Sequence, residues 1–108
     1  MKMLYPKASI RRWVDGDTVD ILVDLGFKVF SEQRFRLAHI NTAEKGQPGF
    51  KEAIDRVCEL APVLSPVSVE CLGYDKYGRW ISNIILPDGS IVNEILLKEN
   101  LAKPYLEN

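Results

Sequence analysis

Val14-Asp15-Gly16-Asp17-Thr18-Val19-Asp20-Ile21-Leu22-Val23-Asp24-Leu25 joins a turn signal to a strand signal. Asp15-Gly16-Asp17 has turn chemistry: Asp carboxylates bond nearby backbone amides, and Gly tolerates conformations that other residues avoid. From Thr18 the chain alternates. Val19, Ile21 and Val23 fall on one side of an extended backbone, while Thr18, Asp20 and Asp24, with the apolar Leu22, fall on the other. A half-buried strand over residues 18–25 is predicted, and Gly26 permits the reversal after it.

Working outward, residues 8–14 read as a first strand, and residues 35–40 as a third that begins near Val29. The loop over residues 41–49 holds the breakers Gly46, Pro48 and Gly49. A helix is predicted over residues 50–61. Ala53, Ile54, Val57, Cys58, Leu60 and Ala61 recur at near-helical spacing, with Lys51, Glu52, Asp55, Arg56 and Glu59 opposite. Pro62 and Pro66 stop it. Residues 67–72 read as a fourth strand, residues 74–78 as a turn, and residues 80–86 as a fifth strand. Pro87-Asp88-Gly89 is a tight turn. Ser90 is placed to cap a second helix over residues 91–99, with Asp88 or Glu94 near its positive end. Three strands, a helix, two strands and a helix give a mainly β, α+β chain. This is the order of a five-stranded OB-fold barrel with a helix after strand three and a second near the C-terminus.

The chain has 108 residues, which suits one domain spanning 1–108. Hydrophobic residues make up 46% and charged ones 27%, ordinary for a globular protein. No apolar run approaches the ~20 residues of a bilayer span, so no membrane role is expected. Met1 to Lys7 is followed by no apolar leader segment, so a cytoplasmic location is expected. Cys58 and Cys71 are expected to pack as small hydrophobes in a reducing compartment; their spacing does not decide whether they pair. One His and two separated Cys cannot build a conventional structural zinc site. Net charge is −1, from 14 Lys+Arg and 15 Asp+Glu. Any surface that attracts nucleic acid must therefore be local, or be supplied by a bound cation.

Four stretches carry more polar chemistry than a structural barrel needs. Val14-Asp15-Gly16-Asp17-Thr18-Val19 sets two carboxylates around a glycine; alone, it reads as a turn. Phe35-Arg36-Leu37-Ala38-His39-Ile40-Asn41-Thr42-Ala43-Glu44 puts an arginine inside an apolar strand and polar groups at its end. Buried arginine is rare unless it is paired or faces a site. Tyr74-Asp75-Lys76-Tyr77-Gly78-Arg79 is a charged hairpin, and Val92-Asn93-Glu94 with Leu101-Ala102-Lys103 brackets the second helix.

In this order and at these separations, the four stretches resemble the staphylococcal nuclease (thermonuclease) family, from about Ala8 to Tyr105. The resemblance implies an OB-fold enzyme that uses calcium to cut DNA and RNA at the 5′ P–O bond, leaving 3′-phosphates. It implies Asp17, Asn41 and the Thr42 carbonyl as metal ligands, with Asp15 nearby. It implies Glu44 as general base and Arg36 and Arg79 as phosphate-binding catalytic residues. Lys76, Tyr77 and Tyr105 match substrate contacts. The chemistry is coherent. Calcium takes several oxygen ligands, a glutamate can deprotonate a water, and guanidiniums bind phosphate oxygens bidentately. His39 shares strand parity with Leu37 and Asn41, but is read as structural.

Several departures stand out. Asn41 replaces the family's second metal aspartate, which keeps an oxygen but loses a charge and implies weaker calcium binding. Ala43 stands where the family has Pro, and the loop over residues 45–49 is short. The chain stops at Asn108, before the type enzyme's third helix. The absence of that helix is expected either to cost stability or to leave the barrel face to a partner chain, and the oligomeric state is left open. The expected partner is single-stranded DNA or RNA. The competing expectation is a non-catalytic OB-fold module binding nucleic acid or protein, favoured by Asn41 and the acidic balance; a purely structural barrel is a weaker third.

Overall fold

The structure is a computed structural model that describes residues 2–106. Its strands are β1 (Met3–Asp15), β2 (Thr18–Asp24), β3 (Phe30–Leu37), β4 (Ile40–Thr42), β5 (Pro66–Tyr74), β6 (Trp80–Ile85) and β7 (Ala102–Pro104); its helices are α1 (Phe50–Leu60) and α2 (Val92–Lys98). β1, β2, β3, β6 and β5 close a barrel in that order, and β4 pairs with β7 as a separate two-stranded ribbon. The barrel, the helix after its third strand and the later helix are those of an OB-fold.

The alternation in β2 sets the inside and the outside. Val19, Ile21 and Val23 are buried, together with Ile10, Leu37, Val69 and Ile84 from other strands. A strand's side-chain period of two makes this register the one that buries them together. α1 closes one end of the barrel with Ala53 and Val57 buried, and Trp13 Nε1 donates to Ala61 O at 2.8 Å where the helix ends. Asn93 ties α2 down. Its Nδ2 donates to Ala38 O and Ser82 O, both at 3.1 Å, and its Oδ1 accepts from Ile84 N–H at 3.1 Å.

Four local expectations are corrected. β1 starts at Met3, not near residue 8, because Met3–Tyr5 pair with β5; the ladder slips between Tyr5 and Ala8, around Pro6, which has no N–H to donate. The third strand ends at Leu37. The chain turns at Ala38 and His39, where His39 has φ 65, and Ile40 starts the ribbon. The left-handed turn breaks the parity that linked His39 to Asn41. Ser90 does not cap α2. The N-cap is Ile91 with no side-chain bond, and the Ser90 hydroxyl donates to Asp88 Oδ1 instead. Cys58 is exposed rather than packed, while Cys71 is buried, and both are free thiols. Among the described residues no helix is long and apolar enough to cross a membrane.

Candidate active site

The β1–β2 turn, the end of β3, β4, the loop before α1, the β5–β6 hairpin and β7 all open onto one cleft. It measures about 1120 Å³, larger than the usual small-ligand pocket of roughly 300–1,000 Å³. Asp17, Arg36, Asn41, Thr42, Glu44, Lys76, Tyr77, Arg79 and Tyr105 all line it, so every site position named from the sequence reaches one place.

Asp17 sits at the base, 8% exposed. Its Oδ2 accepts the Thr42 N–H at 3.0 Å and lies 3.3 Å from Arg36 Nη1; its Oδ1 accepts the Thr18 hydroxyl at 3.2 Å. The turn that holds it requires Gly16. A Cβ there would sit 2.9 Å from both Ala53 Cβ and Thr42 Oγ1. Asp15 Oδ1 accepts the Asp17 N–H at 3.0 Å. Burial, reinforced by the neighbouring Asp17 carboxyl, pushes Asp15 up to about 6.

Arg36 is buried with its charge paired to Asp17 and its terminal nitrogens hydrogen-bonded. Nη1 donates to Leu37 O at 3.0 Å, Nη2 donates to Asn41 Oδ1, and the guanidinium lies 5.8 Å from the centre of the Tyr105 ring. Tyr105 is fixed in turn by its N–H, which donates to His39 O at 2.8 Å. Arg79 is held from its own hairpin. Its Nε donates to Asp75 Oδ2 at 2.7 Å, and Asp75 Oδ1 accepts the backbone N–H groups of Tyr77 and Arg79. Burial alone would raise Asp75, but these Arg79 and Tyr77 donors and the adjacent charge hold it below its ordinary value. Tyr77 carries Lys76 Nζ at 5.3 Å and the Arg79 guanidinium at 5.4 Å from its ring centre.

Glu44 is exposed in the loop before α1. Its backbone N–H donates to Gln47 Oε1 at 2.8 Å, and Gln47 N–H returns a bond to Glu44 O at 2.9 Å. Among the described residues its carboxylate makes no hydrogen bond or ion pair, which leaves it open to a water or substrate. Asp15, Gln47, Tyr74, Asp75, Asn100 and Lys103 also line the cleft. Lys103 stands in the Leu101-Ala102-Lys103 stretch but has no role assigned from sequence; the ribbon sets it opposite Asn41.

The donors at the base fit an oxygen-ligated cation. Asp15 and Asp17 place two carboxylates side by side in a half-buried setting, and Thr42 Oγ1 is buried with no hydrogen-bond partner among the described residues. Such a set suits a hard divalent ion such as calcium. The fit is leaner than the sequence implied. The Asn41 oxygen is turned to Arg36, and no group of three or more His, Cys, Asp or Glu side chains is gathered for a metal among the described residues.

No protein-family model matches the chain. A protein of Escherichia coli O157:H7 described as an uncharacterized endonuclease is 29% identical over 94 residues, covering 87% of this chain and 58% of that protein. A micrococcal nuclease of Shigella flexneri is 29% identical over 107 residues, covering 92% of this chain and 58% of that protein. The chain thus spans 58% of the length of these curated relatives. In its four motifs, its barrel and its similarity to these proteins, the chain resembles the staphylococcal nuclease family across most of its length.

Proposed function

We propose that the protein is a nuclease: a calcium-dependent phosphodiesterase acting on single-stranded DNA or RNA at the 5′ P–O bond. The observation that carries this reading is the convergence of two guanidiniums, Arg36 from β3 and Arg79 from the β5–β6 hairpin, on a cleft that also holds the unbonded Glu44 carboxylate. Two forks from different elements match a phosphodiester that must be gripped on more than one oxygen.

Glu44 accepts a proton from a water as the water oxygen bonds to phosphorus. The P–O5′ bond breaks and the departing O5′ takes a proton from solvent water, leaving a 3′-phosphate and a 5′-hydroxyl. Arg36 and Arg79 hold the non-bridging oxygens as charge grows on them. Asp75 and Asn41 keep those guanidiniums oriented. Asp15, Asp17 and Thr42 would hold the calcium, which when bound offsets phosphate charge and orients the attack.

The second reading is a binding module that grips nucleic acid without cutting it. The contact of the Asn41 oxygen with Arg36 favours it, since an oxygen spent there is not spent on a metal.

The deciding experiment incubates the protein with denatured DNA across a calcium series, beside Glu44→Gln and a chelator control. Cleavage that requires calcium and falls by about 10²–10⁴-fold in Glu44→Gln is expected for loss of a general base. A folded protein that binds the DNA but cuts none at any calcium level is the binding module instead.

A further inference from the structure

Tyr74 and Trp80 face each other at the turn end of the β5–β6 hairpin as a cross-strand pair. Their ring centroids are 4.2 Å apart and the planes are tilted by 52°. Trp80 is fixed from a second strand: its backbone pairs with Phe35 of β3, and its Nε1 donates to Gln33 Oε1 at 3.3 Å. Tyr74 rests on this anchored ring, yet it is 58% exposed and lines the cleft next to Asp75, the residue that holds Arg79. A ring that served only to staple the hairpin would gain by covering its surface. Here an aromatic surface is held rigid and left open beside a phosphate-binding guanidinium.

We propose that Tyr74, backed by Trp80, is a stacking subsite for a nucleobase flanking the phosphate held by Arg79. This rests on the phosphodiesterase reading above and deepens it by naming what the substrate must present: an unpaired base with a free face. Bases inside a duplex have both faces covered by neighbours. A strand whose base swings onto Tyr74 gains stacking that tolerates any of the four bases, because every base has a π-face. Preference for single strands then comes from this subsite, while Arg36 and Arg79 read only the backbone.

The test uses Glu44→Gln protein, so that the DNA stays intact, and follows binding by tryptophan emission. Trp80 lies at the subsite, and Trp13, 6% exposed, gives a steady background. The probes are a short single-stranded oligodeoxynucleotide, the same strand with one abasic site placed at each position in turn, and its duplex. The parent protein is expected to bind the intact strand with a change in Trp80 emission. It should bind one of the abasic strands about tenfold more weakly and without that change. Tyr74→Leu should lose about the same factor on the intact strand and nothing further on that abasic strand, and Tyr74→Phe should restore binding. Equal binding of intact and all abasic strands by the parent overturns the subsite and leaves the nuclease reading standing; this comparison needs no variant to fold. Binding of duplex as tight as single strand also overturns it. No binding of any strand by folded parent protein removes the phosphodiesterase reading and the subsite together.

Discussion

Asn41 is the residue on which two roles compete. Its oxygen accepts from Arg36, and it is also the position where the resemblance implies a metal carboxylate. Asn41→Asp adds a negative charge beside Asp15 and Asp17, and calcium affinity rises with ligand charge. The expected result is a tighter calcium isotherm by titration calorimetry. An unchanged isotherm would mean that position 41 serves Arg36 alone. Gly16 is governed by space rather than by backbone conformation. Gly16→Ala drives a methyl group to 2.9 Å from Ala53 Cβ and Thr42 Oγ1, and neither neighbour is a flexible chain end. A loss of about 1–3 kcal/mol in denaturant unfolding is expected for such overpacking, together with weakened activity, because the same turn carries Asp17. A midpoint equal to that of the parent would show that the turn yields. Both residues were visible in the sequence, but their reasons were not. The Asp-Gly-Asp box could be read as a turn with carboxylates. That α1 packs against the missing Cβ is a tertiary fact that no local pattern carries.

At the scale of elements, the β5–β6 hairpin is an arginine holder built around one carboxylate. Asp75 accepts from two backbone N–H groups and from the Arg79 side chain, so it sits below its ordinary value when folded. An unfolded aspartate titrates near ~3.9. The stability from a lowered carboxylate is present above that value and is lost as pH falls through the lower, folded value. Asp75→Asn is therefore expected to cost about 1–2 kcal/mol at neutral pH, with the difference from the parent shrinking below about pH 4. Paired denaturation curves across pH measure it, and a difference that persists in acid would assign the loss to packing instead. The hairpin was legible because its turn residues and flanking strands follow local rules. The β4–β7 ribbon was not. Each partner is three residues long, too short for a period-two pattern to register, and its pairing depends on the left-handed His39 turn. The α2 cap was misread for a related reason: a serine before a helix has a second local partner, Asp88, and took it.

For the whole molecule, charge sets how nucleic acid is held. With a net charge of −1, no general field draws a polyanion in, and attraction is confined to Arg36, Arg79, Lys76 and Lys103 at the cleft. A handful of phosphate contacts on a single strand implies a log K against log salt slope of about −2 to −3. Titrations of Glu44→Gln with an oligonucleotide between low and moderate salt check this. A much steeper slope would mean that a second basic surface takes part. The barrel itself was readable from the order of elements and the alternation in β2, because a closed five-stranded sheet with this helix placement leaves few alternatives.

The seam between β1 and β5 carries a consequence for how the chain reaches this state. Ala8 meets Val67 and Met3 meets Cys71, so the first strand must wait for a partner made from the far side of α1. Loop-closure entropy is paid before that pairing gives anything back. The β1–β2, β2–β3 and β5–β6 hairpins and α1 join neighbours in sequence, whereas the cleft, which takes Asp15, Asp17 and Arg36 from the first hairpins and Arg79 from the β5–β6 hairpin, needs the long-range β3–β6 and β1–β5 pairings. The chemistry is thus tied to the long-range contacts of the fold, where closing a loop costs entropy before pairing repays it.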